Sequence, residues 1–319
     1  MPTTPTPDLV CFGEPMIEFN QTRPGDRHWL QGFGGDASNA AIAAARQGAS
    51  VGFVGALGED RFGDAFVELW RREHIDCSAV ARRGDGHTAV YFVTHDADGH
   101  HFDFVRKGSA ASRLGPVDLP HAYLAGCRIL HLSGISQAIS PAARDAGFAA
   151  IDVVKRAGGK VSYDTNLRLR LWSIEEARDT MHAAIARCDI ALPSIDDARV
   201  MTRLDAPDAI ADFHLRLGPT LVALKMGAEG ALIATPDQRW RLPAIAVAAV
   251  DATGAGDTFG GALLARLLAG DGPLDAARYA NVAAALSTTG YGAVEPIPRR
   301  EAVSAALAAN PTRTGEPDR

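Results

Sequence analysis

From residue 127 onward the chain alternates short apolar runs with longer segments of helical pattern, and this rhythm restricts the fold more than any other feature. Candidate strands are Ile129 to Leu132, Lys160 to Tyr163, Ile190 to Leu192, Leu221 to Leu224 and Ala231 to Ala234. Helical patterns fall at Pro141 to Ala157, Ile174 to Arg187 and Ile195 to Arg203, and again at Thr258 to Leu268 and Leu274 to Thr289. Strands separated by helices pair in parallel through crossovers, which places helices on both faces of one sheet. The chain opens with the same rhythm. Leu9 to Phe12 reads as a buried strand, Ser38 to Gln47 as an alanine-rich helix with Gly48 at its C-terminal cap, Ser50 to Val54 as a strand and Arg61 to Glu73 as an amphipathic helix.

Two stretches break the pattern. Glu14 to Phe33 mixes polar and aromatic residues around the Pro24-Gly25-Asp26 turn. Thr88 to Val93 and Phe102 to Val105 read as a hairpin turning at Asp96 to Gly99. Together they predict a small separate sheet: a β-sheet lid of residues 14–33 and 88–106 on an α/β core of residues 1–13, 34–87 and 107–319. No internal repeat and no long Ser/Gly linker divides the chain, and the tail from Asn310, rich in Pro, Thr and charge, is expected to be disordered.

Composition narrows the function. With 319 residues, 47% of them hydrophobic, the chain can bury a large core. A net charge of −6 argues against a nucleic-acid binder, so any anion site must concentrate positive potential locally. The four cysteines (Cys11, Cys77, Cys127 and Cys188) are dispersed and predict buried free thiols, with neither a disulfide framework nor a zinc site. The N-terminus lacks the basic and apolar regions of a signal peptide. No apolar run approaches the roughly 20 residues that span a bilayer. A soluble, cytoplasmic protein is the expectation.

The segment that carries most chemistry is Asp251-Ala252-Thr253-Gly254-Ala255-Gly256-Asp257-Thr258-Phe259-Gly260-Gly261, just before the apolar run Ala262 to Leu268. Glycines at 254 and 256 let a backbone approach a ligand closely, and a helix starting there turns its free N–H groups and positive dipole end toward an anion. A transferring phosphoryl group suits such a loop. On the residues alone, Asp257 is either a helix cap or a group facing the reacting centre. The spacing is neither that of a Walker A loop nor that of a dinucleotide fold.

At this point the chain resembles the ribokinase-like (PfkB) carbohydrate kinases. DATGAGDTFGGALLARL is similar to their C-terminal signature. Gly34 to Ala41, with Gly48 and the run Gly55 to Gly63, is similar to their N-terminal one. The resemblance covers residues 8–308 and implies a three-layer α/β/α sandwich with a mainly parallel central sheet and a small β-sheet lid. It also implies ATP and Mg2+ as cofactors. Asp257 would accept the proton of the attacking hydroxyl, with the N–H groups of Gly254, Ala255 and Gly256 as an anion hole for the γ-phosphate. Gly35 and Asn39 would contact the sugar. On the nucleotide side, Lys225, Gly227 and Gly230 would lie near the phosphates, Asn281 near the adenine, and Asn166 and Ser194 nearby. Ser194 and Asp197 depart from the family's usual Asn and Glu; Asp197 keeps an anion that would act on Mg2+ through water.

Within the family, three stretches point toward 2-keto-3-deoxygluconate kinases: Arg106 to Leu114, His131 to Ser136 and Asp164 to Trp172. An acidic sugar needs its carboxylate recognised, which arginine does with a bidentate fork. The resemblance assigns that work to Arg106 and Arg168, with Tyr91 and Phe104 as aromatic partners. Phe104 stands where tyrosine is common, and Leu169 where proline is. Three alternatives stay open: a kinase for fructose or another neutral sugar, a nucleoside kinase, and a non-catalytic sugar-binding regulator that kept the fold. The paired arginines weigh against a nucleoside acceptor, and an intact GAGD loop against a pure binder. Exposed edges of the lid sheet predict a homo-oligomer formed through the lid.

Overall fold

The structure, a computed structural model, describes residues 6–21, 23–96 and 99–309. Part of the turn expected at Asp96 to Gly99 and the tail beyond residue 309 therefore lie outside the described residues. In chain order the strands are β1 (Leu9–Phe12), β2 (Met16–Gln21), β3 (Trp29–Gly34), β4 (Val51–Gly58), β5 (Ile75–Asp76), β6 (Val80–Arg83) and β7 (Ala89–Asp96). They continue as β8 (Gly99–Val105), β9 (Ile129–Ser133), β10 (Lys160–Asp164), β11 (Ile190–Leu192), β12 (Leu221–Lys225), β13 (Ala231–Ala234) and β14 (Arg239–Leu242). The helices are α1 (Asp36–Arg46), α2 (Arg61–Arg72), α3 (His121–Gly126), α4 (Gly134–Ala138), α5 (Pro141–Arg156) and α6 (Ile174–Ile185). After them come α7 (Ile195–Thr202), α8 (Pro207–Leu217), α9 (Ala255–Ala269), α10 (Pro273–Ser287) and α11 (Arg300–Ala309).

The main sheet runs β14-β13-β12-β11-β10-β9-β1-β4-β5, with β6 also paired to β4. Every pairing from β12 to β5 is parallel; β12–β13 and β13–β14 are antiparallel, so β13 alone runs against the rest. Side-chain alternation explains how one sheet serves two cores. Along β1, Leu9 and Cys11 enter the cluster with Phe53, Trp70 and Leu263, while Val10 and Phe12 enter the one with Leu130, Tyr163 and Met181. Helices α1, α9 and α10 supply the first cluster, and α5, α6 and α8 the second, giving three layers.

A separate four-stranded sheet has the order β3-β2-β7-β8. Its β2–β3 and β7–β8 pairs are antiparallel and β2–β7 is parallel, so this lid sheet is mixed, and its Phe19 and Phe33 pack against Phe62 and Phe66 of α2. The expected hairpin is β7–β8, and the 14–33 region joins it in one sheet.

Several elements differ from the sequence expectation. The strand read at Ser50 to Val54 continues to Gly58 and is buried throughout; glycines at 52, 55 and 58 hide its period from composition. Helix α8, started by Pro207, and strand β14, with two arginines in four residues, are further elements that the sequence expectation does not include. Cys11, Cys127 and Cys188 are buried and Cys77 is half-buried, all as free thiols. Among the described residues, no helix is long and apolar enough to cross a membrane.

Candidate active site

Parallel strands present their C-terminal ends on one edge of a sheet, and ligands bind in the crevice outside that edge. Here β10 ends in Asp164, β12 ends in Lys225, and β11 leads through Pro193 into Ser194 at the N-terminus of α7. Helix α1 begins at the same edge with Asp36 and Asn39, and α9 begins there with the glycine loop.

The loop has a specific local cause. Gly254 is the N-cap of α9 at φ +75°, and a Cβ there would lie 2.9 Å from the carbonyl of Ala293. Asp251 holds the approach: one carboxylate oxygen accepts from the N–H and hydroxyl of Thr253 at 2.9 and 2.7 Å, and the other from the N–H of Gly292 at 2.9 Å. Helix α9 therefore starts at Ala255, three residues before the sequence pattern places it, and Asp257 sits inside the first turn without capping the helix. Of the three expected anion-hole donors, the Ala255 N–H is turned toward the Ala252 carbonyl at 3.2 Å.

Asp257 accepts a hydrogen bond from Asn39 Nδ2 at 2.8 Å, which joins α9 to α1 across the cleft. As a residue Asp257 is only partly covered, yet protein packed round its carboxyl desolvates the charge. That desolvation, with the nearby charges of Asp36 and Asp164, pushes its pKa from 3.8 up to about 7, against the opposing pull of Asn39 and Lys225. The Asn39 Oδ1 atom is buried without a hydrogen-bond partner.

Around this aspartate lies an ionic network. Lys225 Nζ pairs with Asp164, and the same ammonium lies 3.4 Å from where a Cβ on Gly256 would stand, so it borders the glycine loop. Burial, the largest influence, holds the Asp164 pKa above the usual carboxylate range despite Lys225. Asp36 accepts from Asn166 Nδ2 at 2.9 Å and from the Ala37 N–H at 2.9 Å. Asp197 accepts from the Leu167 N–H at 3.0 Å and the Thr165 hydroxyl at 3.3 Å, and its own N–H reaches Ser194 Oγ at 3.2 Å. Among the described residues no group of three His, Cys, Asp or Glu side chains is arranged to hold a metal ion by itself.

The lid adds an aromatic wall. Cross-strand register aligns Gly32, Glu18, Tyr91 and Phe104 in one row over β3, β2, β7 and β8. Tyr91 donates to Glu18, and its ring stacks on Phe104 at 5.8 Å between centroids. Burial raises the pKa of both members of the Tyr91–Glu18 pair. Arg106, just beyond β8, lies over the Phe104 ring at 5.6 Å, while its Nε and Nη2 donate to the buried Glu14, which also accepts from Ser109. Gly35 lies beside this junction at φ +96°, and the space of a Cβ there is taken by the Glu14 carbonyl.

Two expected residues bond to backbone carbonyls. Arg168 is exposed on the loop after β10, with Nη1 donating to the Leu167 carbonyl at 2.8 Å. Asn281 is on α10 and donates to the Pro243 carbonyl at 2.8 Å. Gly227 and Gly230 bracket the turn from β12 to β13, both at positive φ, next to Lys225.

The family model described as pfkB family carbohydrate kinase matches residues 6–300. The chain belongs to this family. Among relatives of this pfkB-family kinase, the 2-dehydro-3-deoxygluconokinase of Bacillus subtilis (strain 168) is 30% identical over 313 residues, covering 96% of this chain and 97% of the relative. Fructokinase-1 of Oryza sativa subsp. japonica is 34% identical over 307 residues, covering 91% and 94%. A protein from E. coli solved in complex with ATP and Mg2+ superposes with a TM-score of 0.89 at 26% identity, covering 95% of this chain and all of that one. The fructokinase of Vibrio cholerae O395, solved with fructose, ADP and calcium, gives 0.85 at 31% identity over 95% and 99%. The fold of the kinase is thus ribokinase-like, with its mainly parallel central sheet and separate mixed lid sheet.

Four acids that converge on the site are unassigned by the sequence reading: Glu14, Glu18, Asp36 and Asp164. Asp36 and Asp164 lie inside quoted motif strings, so position is visible there while role is not. A usable signal exists for Asp164, since an acid closing an apolar strand of a parallel sheet points into the ligand crevice.

Proposed function

We propose that this carbohydrate kinase transfers the γ-phosphoryl group of ATP to the 6-hydroxyl of 2-keto-3-deoxygluconate. The observation that carries the phosphotransfer reading is Asp257: it sits in the first turn of α9, behind the Gly254–Gly256 loop, with a pKa raised to about 7. A base poised near the working pH accepts a proton efficiently. In this reading Asp257 takes the proton of the sugar hydroxyl as the oxygen forms its bond to phosphorus and the bond to the leaving ADP breaks. The N–H groups of Gly254 and Gly256 and the Lys225 ammonium receive the developing phosphoryl charge, the Ala255 N–H being bonded to the Ala252 carbonyl. The orphaned Asn39 Oδ1, one amide away from the base, awaits a donor such as a sugar hydroxyl.

Nucleotide contacts are assigned to Lys225, Gly227, Gly230, Asn166, Ser194 and Asn281. Mg2+ fits the residues present: it is held chiefly by phosphates and water, so a cleft offering the Asp197 carboxylate without a closed cage suits it. When bound, it neutralises charge on the phosphates. The lid row of Tyr91 and Phe104, with Arg106 at its margin, is assigned to the sugar, alongside Gly35 and, on the loop after β10, Arg168. We assign the core to residues 1–13, 34–87 and 107–319 and the lid to 14–33 and 88–106. Leu30, Phe104 and Val105 are exposed on that lid, and pairing of two copies there is expected to appear as a dimer or larger species in light scattering.

A fructose reading has its own support, because Glu14 already holds the Nε–Nη2 edge of Arg106. The deciding experiment is ATP consumption with Mg2+ and 2-keto-3-deoxygluconate, fructose, ribose or adenosine. A preference for the keto-acid supports the proposal. Arg106→Ala and Arg168→Ala then each weaken the acidic sugar by about 1.5–3 kcal/mol more than a neutral one. A preference for fructose, or equal losses on both sugar types, overturns the carboxylate reading.

A further inference from the structure

We infer that Asp164 is a positioning residue that holds the Lys225 ammonium against the Gly254–Gly256 loop, where the transferred phosphoryl group is bound. The inference rests on the phosphate-contact reading of Lys225 and does not depend on which sugar is phosphorylated.

The geometry is unlike that of an ordinary surface pair. Asp164 closes β10 and Lys225 closes β12, and β11 lies between them in the sheet. Strands two apart are separated by roughly 10 Å. The ion pair therefore forms over the end of β11, where the chain turns into Ser194, whose backbone bridges to Lys225. Both side chains are mostly covered, at 5% exposure for Asp164 and 14% for Lys225. Desolvating two charges is costly, and their mutual attraction often fails to offset it, so such a pair is weak evidence for stability by itself. What it does fix is the place of the ammonium.

That place is functional. The Lys225 Nζ stands 3.4 Å from the Cβ position of Gly256, the residue before the base. Two other carboxylates lie in the same field: Asp257, which feels Lys225 directly, and Asp36, which acts on both Asp257 and Asp164. A lysine side chain is a point charge on a flexible four-carbon stem, so without an anchor it settles on whichever carboxylate is available. Pairing with Asp257 would occupy the base with a counter-ion. Asp164 prevents this by tethering the ammonium on the strand side of the loop, where it faces an incoming phosphate. Asn166, two residues on, is tethered to Asp36, so the segment bearing Asp164 is fixed at both ends of this short stretch.

The test is a double-mutant cycle on full-length enzyme, using ATP, Mg2+ and whichever sugar of the panel turns over best. The variants are Asp164→Asn, Lys225→Met and the double replacement. The expected result is a kcat lowered about tenfold or more in Asp164→Asn with sugar KM within about twofold, and a double variant no slower than Lys225→Met alone within about twofold. Asp164→Glu, which keeps the charge, restores part of the loss and serves also if the asparagine variant folds poorly. Wild-type kcat in Asp164→Asn beside an impaired Lys225→Met sinks this inference alone, as do losses that multiply in the double variant. Normal kcat and ATP KM in Lys225→Met sink the phosphate reading of that lysine and the inference with it.

Discussion

Replacing Asp257 by asparagine should make the protein more stable while removing its activity. The side chain keeps its shape and can still accept from Asn39 Nδ2, but the charge is gone. In the folded protein the Asp257 pKa is raised from 3.8 to about 7, by burial first and by Asp36 and Asp164 next. Folding therefore binds a proton between those two values, so this group's contribution to stability is greatest in acid and is lost as pH rises through about 7. Three pKa units correspond to about 4 kcal/mol of penalty on the ionised form at pH 8. At pH 5 the folded carboxyl is already neutral and the penalty falls to about 2 kcal/mol. Urea unfolding of the two proteins at both pH values measures this difference. The expected outcome is an asparagine variant stabilised by up to about 4 kcal/mol at pH 8, with a smaller gain at pH 5. A variant less stable than wild type at pH 8, or a gain independent of pH, would refute the placement of Asp257 among buried acids.

Two further outcomes follow from the same structure. The acid limb of kcat/KM should have its midpoint near pH 7, activity rising with pH as Asp257 loses its proton; a limb near the ordinary carboxylate range would remove Asp257 from the rate profile. Glu14→Ala should destabilise the protein by about 3 kcal/mol or more, because it strands the mostly covered Arg106 guanidinium without its partner; an unchanged urea midpoint would show that Arg106 relaxes into solvent.

Much of this architecture is readable from the sequence because its signals are local. Where helical segments separate the apolar runs, the strands are unambiguous: Ile129, Lys160, Ile190 and Leu221 each begin a strand where the pattern places one. The glycine loop is equally plain, since a backbone approaching a ligand just before a helix calls for residues such as Gly254 and Gly256. The start of α9 is not plain, because Asp251 binding Thr253 and Gly292 sets where the helix begins, and the 41-residue separation of Asp251 from Gly292 hides that contact. Likewise Asp36, Asp164 and Asp257 are far apart in sequence and meet only because strand ends and helix starts share one edge of the sheet. Glu14 is hidden for a related reason: its partners Arg106 and Ser109 lie across the lid, 92 and 95 residues away.

The central claim is that Asp257 is the base of a phosphoryl transfer to a sugar, and single-variant kinetics test it most directly. With ATP, Mg2+ and the preferred sugar, Asp257→Asn is predicted to lower kcat by at least about 10²-fold while sugar and nucleotide binding stay close to wild type. Turnover near the wild-type rate would contradict the account.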